Sequence, residues 1–239
     1  MVRPACNRGC GLRLTVASDP LSVARAAARQ LAKLCAHSVA RRGRAVIALS
    51  GGETPWSMLT ALRELDMPWD RLYVAQVDER VAPDGDAQRN LTRLLELLVT
   101  SGCLSRDRLL AMPVTERDLD HAALVYQQEL ERVAGAPATL DVVHLGLGAD
   151  GHTASLVPGD PVIEVTEQDV AVSQPYAGHR RMTLTLPALS RARQRLWLVT
   201  GAAKSNALRE LLDGRGHGPA IRLPREHSSI FVDAAASST

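Results

Sequence analysis

The chain has 239 residues, of which 46% are hydrophobic, enough apolar material for one large α/β domain or two small ones. Its 28 basic and 26 acidic side chains leave a net charge of +2, and aromatic residues make up only 3%. Because no basic run is interleaved with aromatic residues, this composition argues against nucleic acid as a partner.

The N-terminus and the cysteines indicate the compartment. Residues 1–14 lack the apolar core of a signal peptide, and no apolar run reaches the roughly 18 residues of a membrane span. The four cysteines form no CxxC pair, which fits a reducing compartment. We therefore expect a cytoplasmic protein with no membrane partner. Residues 1–14 are expected to form an N-terminal extension, in which Cys6 and Cys10 either belong to a flexible tail or bind a metal.

Helical and strand patterns alternate along the rest of the chain. Helices are predicted where apolar residues recur every three to four positions, and strands where short runs are wholly apolar or alternate. The predicted helices cover residues 20–42, 56–65, 90–99, 118–133 and 202–212. The predicted strands cover residues 45–49, 72–77, 109–112, 142–147, 170–173, 182–186, 196–200 and 229–232. This alternation indicates βαβ units. We predict a single α/β domain over residues 15–235, with a mainly parallel, open, Rossmann-like sheet flanked by helices.

The run SGGETP follows the predicted strand at 45–49. Gly51 and Gly52, between a strand and a helix N-terminus, expose consecutive backbone N–H groups, and the helix dipole adds partial positive charge. The hydroxyl groups of Ser50 and Thr54 complete a cradle for a phosphate monoester. An ordinary glycine turn with Thr54 as the helix cap fits the motif equally well. The run is not a Walker P-loop, because the spacing GxxxxGK[ST] and its lysine are missing.

A charged segment, Asp78-Glu79-Arg80, follows the predicted strand at 72–77. Ligands of open α/β sheets bind beyond the carboxyl ends of the strands, so these charges lie where a ligand would meet them. A solvated loop with a local ion pair is the alternative. The position makes Asp78 and Arg80 candidates for contact with a ligand.

The stretch DVVHLGLGADGHTASLVPG at 141–159 is the predicted centre of the site. A buried strand at 142–147 leads into a glycine turn that carries Asp150 and His152. An imidazole suits general-base work near neutral pH, and a nearby carboxylate can hold its tautomer. The turn also matches GxGxxG, but Asp150 would set an anion against a pyrophosphate, so we reject dinucleotide binding. Ser155 follows without the GxSxG elbow that a Ser-His-Asp triad would use.

Two further cations stand at predicted strand ends. Lys204 comes three residues after Gly201, at a strand-to-helix junction, in a chain whose only other lysine is Lys33. Arg181 opens a predicted strand, although Arg180 beside it could face the same edge instead. Each of these cations either reaches the site or remains a solvated surface charge, and Lys33, within a helix, is interpreted as a surface charge.

Five motifs stand in the order found in a known enzyme family. They are SGGETP at 50–55, VDERVAP at 77–83, GLGADGHTASLVPG at 146–159, RMTLTLPAL at 181–189 and VTGAAKSNAL at 199–208. From about residue 15 to residue 235 the chain resembles the 6-phosphogluconolactonases. DGHTASL followed by PG is the specific part, since the related glucosamine-6-phosphate deaminases diverge after DGH.

The resemblance implies a single α/β domain of the glucosamine-6-phosphate deaminase-like kind. It also implies hydrolysis of 6-phospho-D-glucono-1,5-lactone in the oxidative pentose phosphate pathway, with neither metal nor organic cofactor. The implied catalytic residues are His152 as general base, Asp150 beside it and Arg80. The implied substrate-binding residues are Ser50, Gly51, Gly52, Thr54 and Lys204, to which position at the sheet edge adds Asp78 and Arg181. The expected partner is this small-molecule sugar-phosphate lactone, and the expected assembly is a monomer or a weak dimer.

The chain departs from the family pattern at four places, which are Arg89 before Asn90, Val157, Phe231 and the pair Gln174-Pro175. None removes an implied catalytic group, but they affect the expected sugar contacts. Two other functions stay open. An amino-sugar-phosphate isomerase or deaminase would share the cradle and the DGH turn. A non-catalytic sugar-phosphate-binding protein would need an effector segment that we do not find in the sequence.

Overall fold

A computed structural model describes residues 11–238 in full and residues 3–6 by their backbone. The hypothesis about Cys6 and Cys10 lies outside the described residues, since it concerns Cys10 and the side chain of Cys6. Within the described part of the chain, no helix is long and apolar enough to cross a membrane.

Strands and helices alternate along most of the chain, as the sequence predicts. The strands are β1 (Arg3–Cys6), β2 (Arg13–Ala17), β3 (Ala45–Leu49), β4 (Leu72–Gln76), β5 (Asp78–Arg80), β6 (Leu109–Leu110), β7 (Val142–Gly146), β8 (Val170–Val172), β9 (Arg181–Leu184), β10 (Arg195–Val199) and β11 (Ser228–Asp233). The α-helices are α1 (Pro20–Arg42), α2 (Glu53–Leu62), α3 (Asn90–Leu94), α4 (Leu119–Ala134), α5 (Leu186–Arg191), α6 (Ser205–Asp213) and α7 (Ala234–Ser237). A π-helical segment, Leu95–Thr100, continues α3.

Eight strands form one sheet in the order β1-β2-β11-β10-β7-β3-β4-β6. All neighbours pair in parallel except β1 and β2, which are antiparallel. The prediction of a mainly parallel, open sheet is therefore confirmed. The strand order reverses between β3 and β7, because later strands run outward in one direction from β3 and in the other direction from β7. Ligands of open α/β sheets bind at such a reversal, beyond the carboxyl ends of the strands.

Helices cover both faces of this sheet. Ile47 and Leu49 of β3 pack in an apolar cluster with Leu31 of α1. Val46, on the same strand, belongs to the opposite cluster, which contains Tyr126 of α4. Since successive residues of a strand face opposite sides, a strand covered on both faces must be apolar throughout, as β3 is.

Helix α1 begins and ends where the sequence predicts. The carboxylate of Asp19 accepts a hydrogen bond from the N–H of Ser22 at 2.8 Å and so caps the first turn. Gly43, with a φ of 74°, ends the helix in the left-handed conformation that glycine adopts without strain. Local capping chemistry therefore fixed both ends of this long helix.

A second sheet, antiparallel and in the order β5-β9-β8, is absent from the sequence prediction. Asp78 pairs with Thr183 and Arg80 pairs with Arg181, across about one hundred residues of sequence. The predicted strand at 182–186 stops early, because the chain turns into α5. Strands as short as β5 carry too little pattern to be recognised from their own residues. Strands β5 and β9 of this small sheet lie beside the candidate site described below.

Candidate active site

A hollow lies at the reversal point, where β3 and β7 end. Its walls come from the loop after β3, strand β5, the start of α3, the turn after β7 and strand β9. The lining residues are Ser50, Gly51, Gly52, Asp78, Arg80, Asn90, Gly146, His152, Ala154 and Arg181. Seven of these are candidate residues from the sequence, all except Asn90, Gly146 and Ala154. In the described part of the chain, no group of three or more His, Cys, Asp or Glu side chains is arranged to hold a metal ion.

The loop after β3 presents free backbone donors. Helix α2 begins at Glu53 with Gly52 as its N-cap, so the prediction of Thr54 as cap and Trp56 as the start is wrong. Within the described residues, the N–H groups of Gly51, Gly52, Glu53 and Thr54 donate to no protein acceptor. The dipole of α2 adds partial positive charge at the same place. The loop therefore offers several convergent donors to an anion.

The hydroxyl group of Ser50 is already engaged. It donates to the carbonyl of His144 at 2.9 Å, and the N–H of Ser50 donates to Nδ1 of the His144 ring at 3.2 Å. Burial lowers the pKa of His144 to about 3, so the ring is neutral, and because Nδ1 accepts, Nε2 carries the proton. Ser50 therefore holds the loop to β7.

The loop packs tightly against the start of α3. A Cβ on Gly51 would overlap the side-chain amide of Asn90. The Asn90 amide donates to the carbonyl of Asp78 at 2.9 Å, and the N–H of Asn90 donates to Glu79 at 2.8 Å. Glu79 is fully buried and forms an ion pair with Arg89 at 3.4 Å. Glu79 and Arg89, one of the departures from the family pattern, therefore tie α3 to β5.

Two arginines form a positive wall. Arg80 on β5 lies opposite Arg181 on β9, an arrangement of like charges whose repulsion the neighbouring Asp78 carboxyl group and a bound anion would both reduce. Arg181 is only 9% exposed, and burial lowers the pKa of its guanidinium, which still stays protonated at neutral pH. Arg180 is exposed, so Arg181 is the member of that pair that lines the hollow. The wall is suited to phosphate or carboxylate.

Asp78 lies buried in the same wall. Its Oδ2 accepts a hydrogen bond from the Ser155 hydroxyl at 2.6 Å. Burial raises the pKa of the Asp78 carboxyl. Because the buried Ser155 hydroxyl donates to Asp78 and not to His152, these residues do not form a Ser-His-Asp triad.

His152 and Asp150 form a hydrogen-bonded pair. Nδ1 of His152 lies 2.6 Å from Oδ1 of Asp150, which also accepts from the backbone N–H of His152 at 3.1 Å. Partial burial opposes ionisation of Asp150, but the contacts with His152 outweigh it and lower the pKa of the carboxyl. An ionised carboxylate only accepts, so Nδ1 carries the proton and Nε2 is the basic nitrogen of the neutral ring. A Cβ on Gly148 would overlap both side chains, so the pair requires glycine there.

Three N–H groups of the glycine turn, those of Gly148, Gly151 and His152, are engaged within the turn. Gly148 donates to the carbonyl of His152 at 2.8 Å, and Gly151 donates to the carbonyl of Gly148 at 3.1 Å. The N–H of His152 is bound by Asp150. These three amides are therefore not free to stabilise an oxyanion. The guanidinium of Arg80 is a charged donor that lines the same hollow.

Three predicted site residues do not line the hollow, namely Thr54, Asp150 and Lys204. Asp150 reaches it through His152. The hydroxyl of Thr54 lies 2.9 Å from that of Thr200, which joins the first turn of α2 to the end of β10. Lys204 is half-buried in the 3₁₀ turn that follows β10. A phosphate contact by Lys204 stays a prediction.

Besides Asn90 and Gly146, which line the hollow, three further residues at or near it were missed by the sequence analysis. His144 fixes Ser50, Ala154 lines the hollow with a positive φ of 52°, and the ring of Tyr176 lies 5.7 Å from that of His152. Ala154 stands inside the DGHTASL motif, but an alanine carries no sequence signal for positive φ. Tyr176 lies between β8 and β9, so its position depends on a strand pairing that the sequence did not reveal.

Comparison with known proteins decides the family. Residues 18–231 match the family model of glucosamine-6-phosphate isomerases/6-phosphogluconolactonase. The chain belongs to this family. Within the glucosamine-6-phosphate isomerase/6-phosphogluconolactonase family, a 6-phosphogluconolactonase from Synechocystis sp. is 37% identical over 180 residues, 73% of this chain and 74% of that protein. A 6-phosphogluconolactonase from Streptomyces coelicolor is 35% identical over 248 aligned positions, which cover 95% of this chain and 94% of that protein. The crystal structure of a 6-phosphogluconolactonase from Thermotoga maritima superposes with a TM-score of 0.82, at 24% identity, over 92% of this chain and 98% of that one, which shows the shared fold.

Proposed function

We propose that the protein hydrolyses 6-phospho-D-glucono-1,5-lactone to 6-phospho-D-gluconate, a step of the oxidative pentose phosphate pathway. One observation carries the proposal: a single hollow combines a basic imidazole, held by a carboxylate, with two arginines and free backbone donors. The relatives named 6-phosphogluconolactonase, at 35% and 37% identity, support the same activity.

The phosphate of the substrate binds between the loop after β3 and Arg181. The N–H groups at the start of α2 and the guanidinium offer convergent donors to its oxygens. Lys204, which follows the neighbouring strand β10, adds positive charge to this phosphate-binding site, the anion seat formed by the loop after β3 and Arg181. The buried carboxyl group of Asp78 accepts a hydrogen bond from a sugar hydroxyl, which orients the ring.

The lactone carbonyl lies beside His152 in the proposed complex. Nε2 takes a proton from a water molecule as the water oxygen attacks C1, and the carbonyl electron pair moves onto its oxygen. Arg80 stabilises the resulting oxyanion, and Asp150 stabilises the imidazolium. When the intermediate collapses, the bond between C1 and the ring oxygen breaks, and the ring oxygen takes the proton from His152. A lactone is an activated ester, so this route uses no covalent nucleophile.

A lactone-hydrolysis assay tests the proposal. The lactone is generated in situ from glucose 6-phosphate, and its loss is followed with the purified protein and, in parallel, without it. The account predicts loss well above the spontaneous rate and saturation with substrate. A rate equal to the spontaneous one would contradict it, and would favour a non-catalytic sugar-phosphate-binding protein.

A second activity is tested because the family includes glucosamine-6-phosphate isomerases. Such an enzyme would use the same cradle and the same DGH turn, but would release ammonia from glucosamine 6-phosphate. We expect no ammonia release above the blank under conditions in which the lactone is hydrolysed. Ammonia release in the absence of lactonase activity would replace the proposal by the isomerase or deaminase function.

A further inference from the structure

A tight hairpin turn lies between β8 and β9, beside the hollow. Tyr176 and His179 pair across it, with the N–H of Tyr176 donating to the carbonyl of His179 at 2.9 Å and the reverse bond at 3.3 Å. The two residues between them, Ala177 and Gly178, have φ values of 49° and 84°. Two positive φ values in a two-residue loop are typical of a type I′ turn, which fixes the direction of the flanking residues. The position of Tyr176 is therefore set by the hairpin backbone.

The ring of Tyr176 contacts two residues of the hollow at once. Its centroid lies 5.7 Å from that of His152 with an interplanar angle of 63°, an edge-to-face contact. The guanidinium carbon of Arg181 lies 5.3 Å from the same Tyr176 centroid, within the range of a cation–π contact. Tyr176 is half-buried and is not one of the described residues that line the hollow. Within the described residues, its contacts with the hollow are therefore those through His152 and Arg181.

On the other side of the turn, His179 connects to Arg80 through Gln88. Nε2 of His179 lies 3.1 Å from the side-chain oxygen of Gln88, and the backbone carbonyl of Gln88 accepts a hydrogen bond from Arg80. The turn thus connects to His152 and Arg181 through one side chain and to Arg80 through a second. The buried Nε of Arg181 has no hydrogen-bond partner within the described residues, so no hydrogen bond at that atom fixes the orientation of the guanidinium.

We propose that Tyr176 is a positioning residue for the hydrolytic site, and that its ring holds the His152 imidazole and the Arg181 guanidinium in one fixed relation. The inference rests on the proposed function, in which these two groups act on opposite ends of the substrate. A flexible guanidinium and a partly exposed imidazole both gain a fixed orientation from one rigid ring. Misplacement of reacting groups by about 1 Å can cost about 100-fold in rate.

Kinetics of three variants test the proposal. Tyr176→Leu removes the ring, and Tyr176→Phe keeps it. The control is Tyr73→Leu on strand β4, which removes a comparable ring whose centroid lies 5.1 Å from the guanidinium carbon of Arg108. We expect Tyr176→Leu to lower kcat about 10-fold or more and to raise the Kd for 6-phosphogluconate, because both contacts are lost. Tyr176→Phe is expected to stay within about 2-fold of the unmodified protein, since the ring carries both contacts. Tyr73→Leu should leave kcat and Kd unchanged.

A spectroscopic readout separates this proposal from the proposed function. The ring current of Tyr176 shifts the proton resonances of the His152 ring, which are observed by NMR in protein labelled at histidine. We expect these resonances to move in Tyr176→Leu and to stay in Tyr176→Phe. If these resonances change as expected but the protein has no lactonase activity, the proposed function is overturned, while the contact between Tyr176 and His152 is supported.

Two results would overturn the positioning role itself. One is an unchanged kcat and Kd in Tyr176→Leu, and the other is an equal loss in Tyr176→Phe and Tyr176→Leu. If the leucine variant does not fold, Tyr176→Met, which also lacks the ring, takes its place in the same comparison.

Discussion

Asp78 is the residue at which stability and function oppose each other. Its carboxylate is buried, with one hydroxyl donor from Ser155 and two neighbouring guanidinium groups, of Arg80 and Arg181. Burial nevertheless raises the pKa of Asp78 above its ordinary value of 3.8. The folded state therefore holds the proton more tightly than the unfolded state does. Stability is lost as pH rises from 3.8 to the raised pKa, and the loss is complete above it.

The variant Asp78→Asn makes this cost measurable, because an amide has no proton to lose. We expect the free energy of unfolding of the variant, relative to the unmodified protein, to increase with pH through the window above 3.8 and then to level off. Urea unfolding at several pH values between about 4 and about 8 measures it. Asp19→Asn is the control, since hydrogen bonds from Ser18 and Ser22, which do not titrate in this range, lower the pKa of Asp19 to about 2, so its difference should be flat above about pH 5. A flat difference for Asp78→Asn as well would show that Asp78 has no raised pKa.

Lys204 tests how far the anion seat extends beyond the hollow. We expect Lys204→Ala to weaken binding of 6-phosphogluconate about tenfold or more, the usual value of a charge-assisted hydrogen bond, with little change in kcat. Titration calorimetry measures the affinity. Lys33→Ala is the matched control, since Lys33 is the other lysine of the chain and is exposed on α1. Equal affinities in the two variants would remove Lys204 from the seat.

Individual site residues could be predicted where they follow a strand directly. Asp78, Arg80 and His152 stand just beyond apolar runs, and the topology of α/β sheets alone directs such residues to one edge. Tyr176 and His144 could not be predicted in this way. The position of Tyr176 depends on the pairing of β8 with β9, and His144 lies within an apolar run, where a buried contact to Ser50 leaves no pattern.

At the scale of elements, the turn after β7 is the part of the site with the least room for change. Gly148 packs directly against the Asp150–His152 pair, so any side chain there would displace the pair. Its φ lies outside the left-handed region, so a substitution meets a clash without backbone strain. The turn therefore depends on the absence of a Cβ atom at this position.

The variant Gly148→Ala tests this dependence. We expect kcat to fall about 100-fold or more, as for loss of the general base, because the alanine Cβ would force His152 away from Asp150. Steady-state kinetics measure the effect. Gly146→Ala, at the last residue of β7, is the control, because a Cβ there meets no protein atom within 4 Å, and its loss of kcat should be much smaller. Similar losses in the two variants would contradict the packing argument.

The elements differ in how well their residues predict them. The α1 helix was predicted with both ends, since an N-cap, a first-turn proline and a C-terminal glycine act locally. The start of α2 was placed too late, because Thr54 and Pro55 look like a cap and first residue, whereas Gly52 caps the helix. Strands β2 and β5 were missed. Each is short, and partners distant in sequence stabilise it.

At the scale of the whole molecule, the position of the site follows from the strand order. The reversal between β3 and β7 leaves a gap between the loops that follow them, and the small antiparallel sheet closes one side of this gap. The parallel sheet could be predicted from alternating patterns. The small sheet could not, and it supplies Arg80 and Arg181, two residues that the sequence identified as site candidates without showing that they lie opposite each other. The sequence therefore predicted the components of the site better than their mutual geometry.

The central claim is that Nε2 of His152 acts as the base while separate groups hold the substrate. The variant His152→Asn tests it most directly, because an asparagine amide can still donate to Asp150 in place of Nδ1 but offers no basic nitrogen to water. Lactone hydrolysis and binding of 6-phosphogluconate are measured on the same preparation. The account predicts a fall in kcat of about 10²- to 10⁴-fold, with the Kd of 6-phosphogluconate within about 3-fold of the unmodified protein. A kcat close to that of the unmodified protein would contradict it.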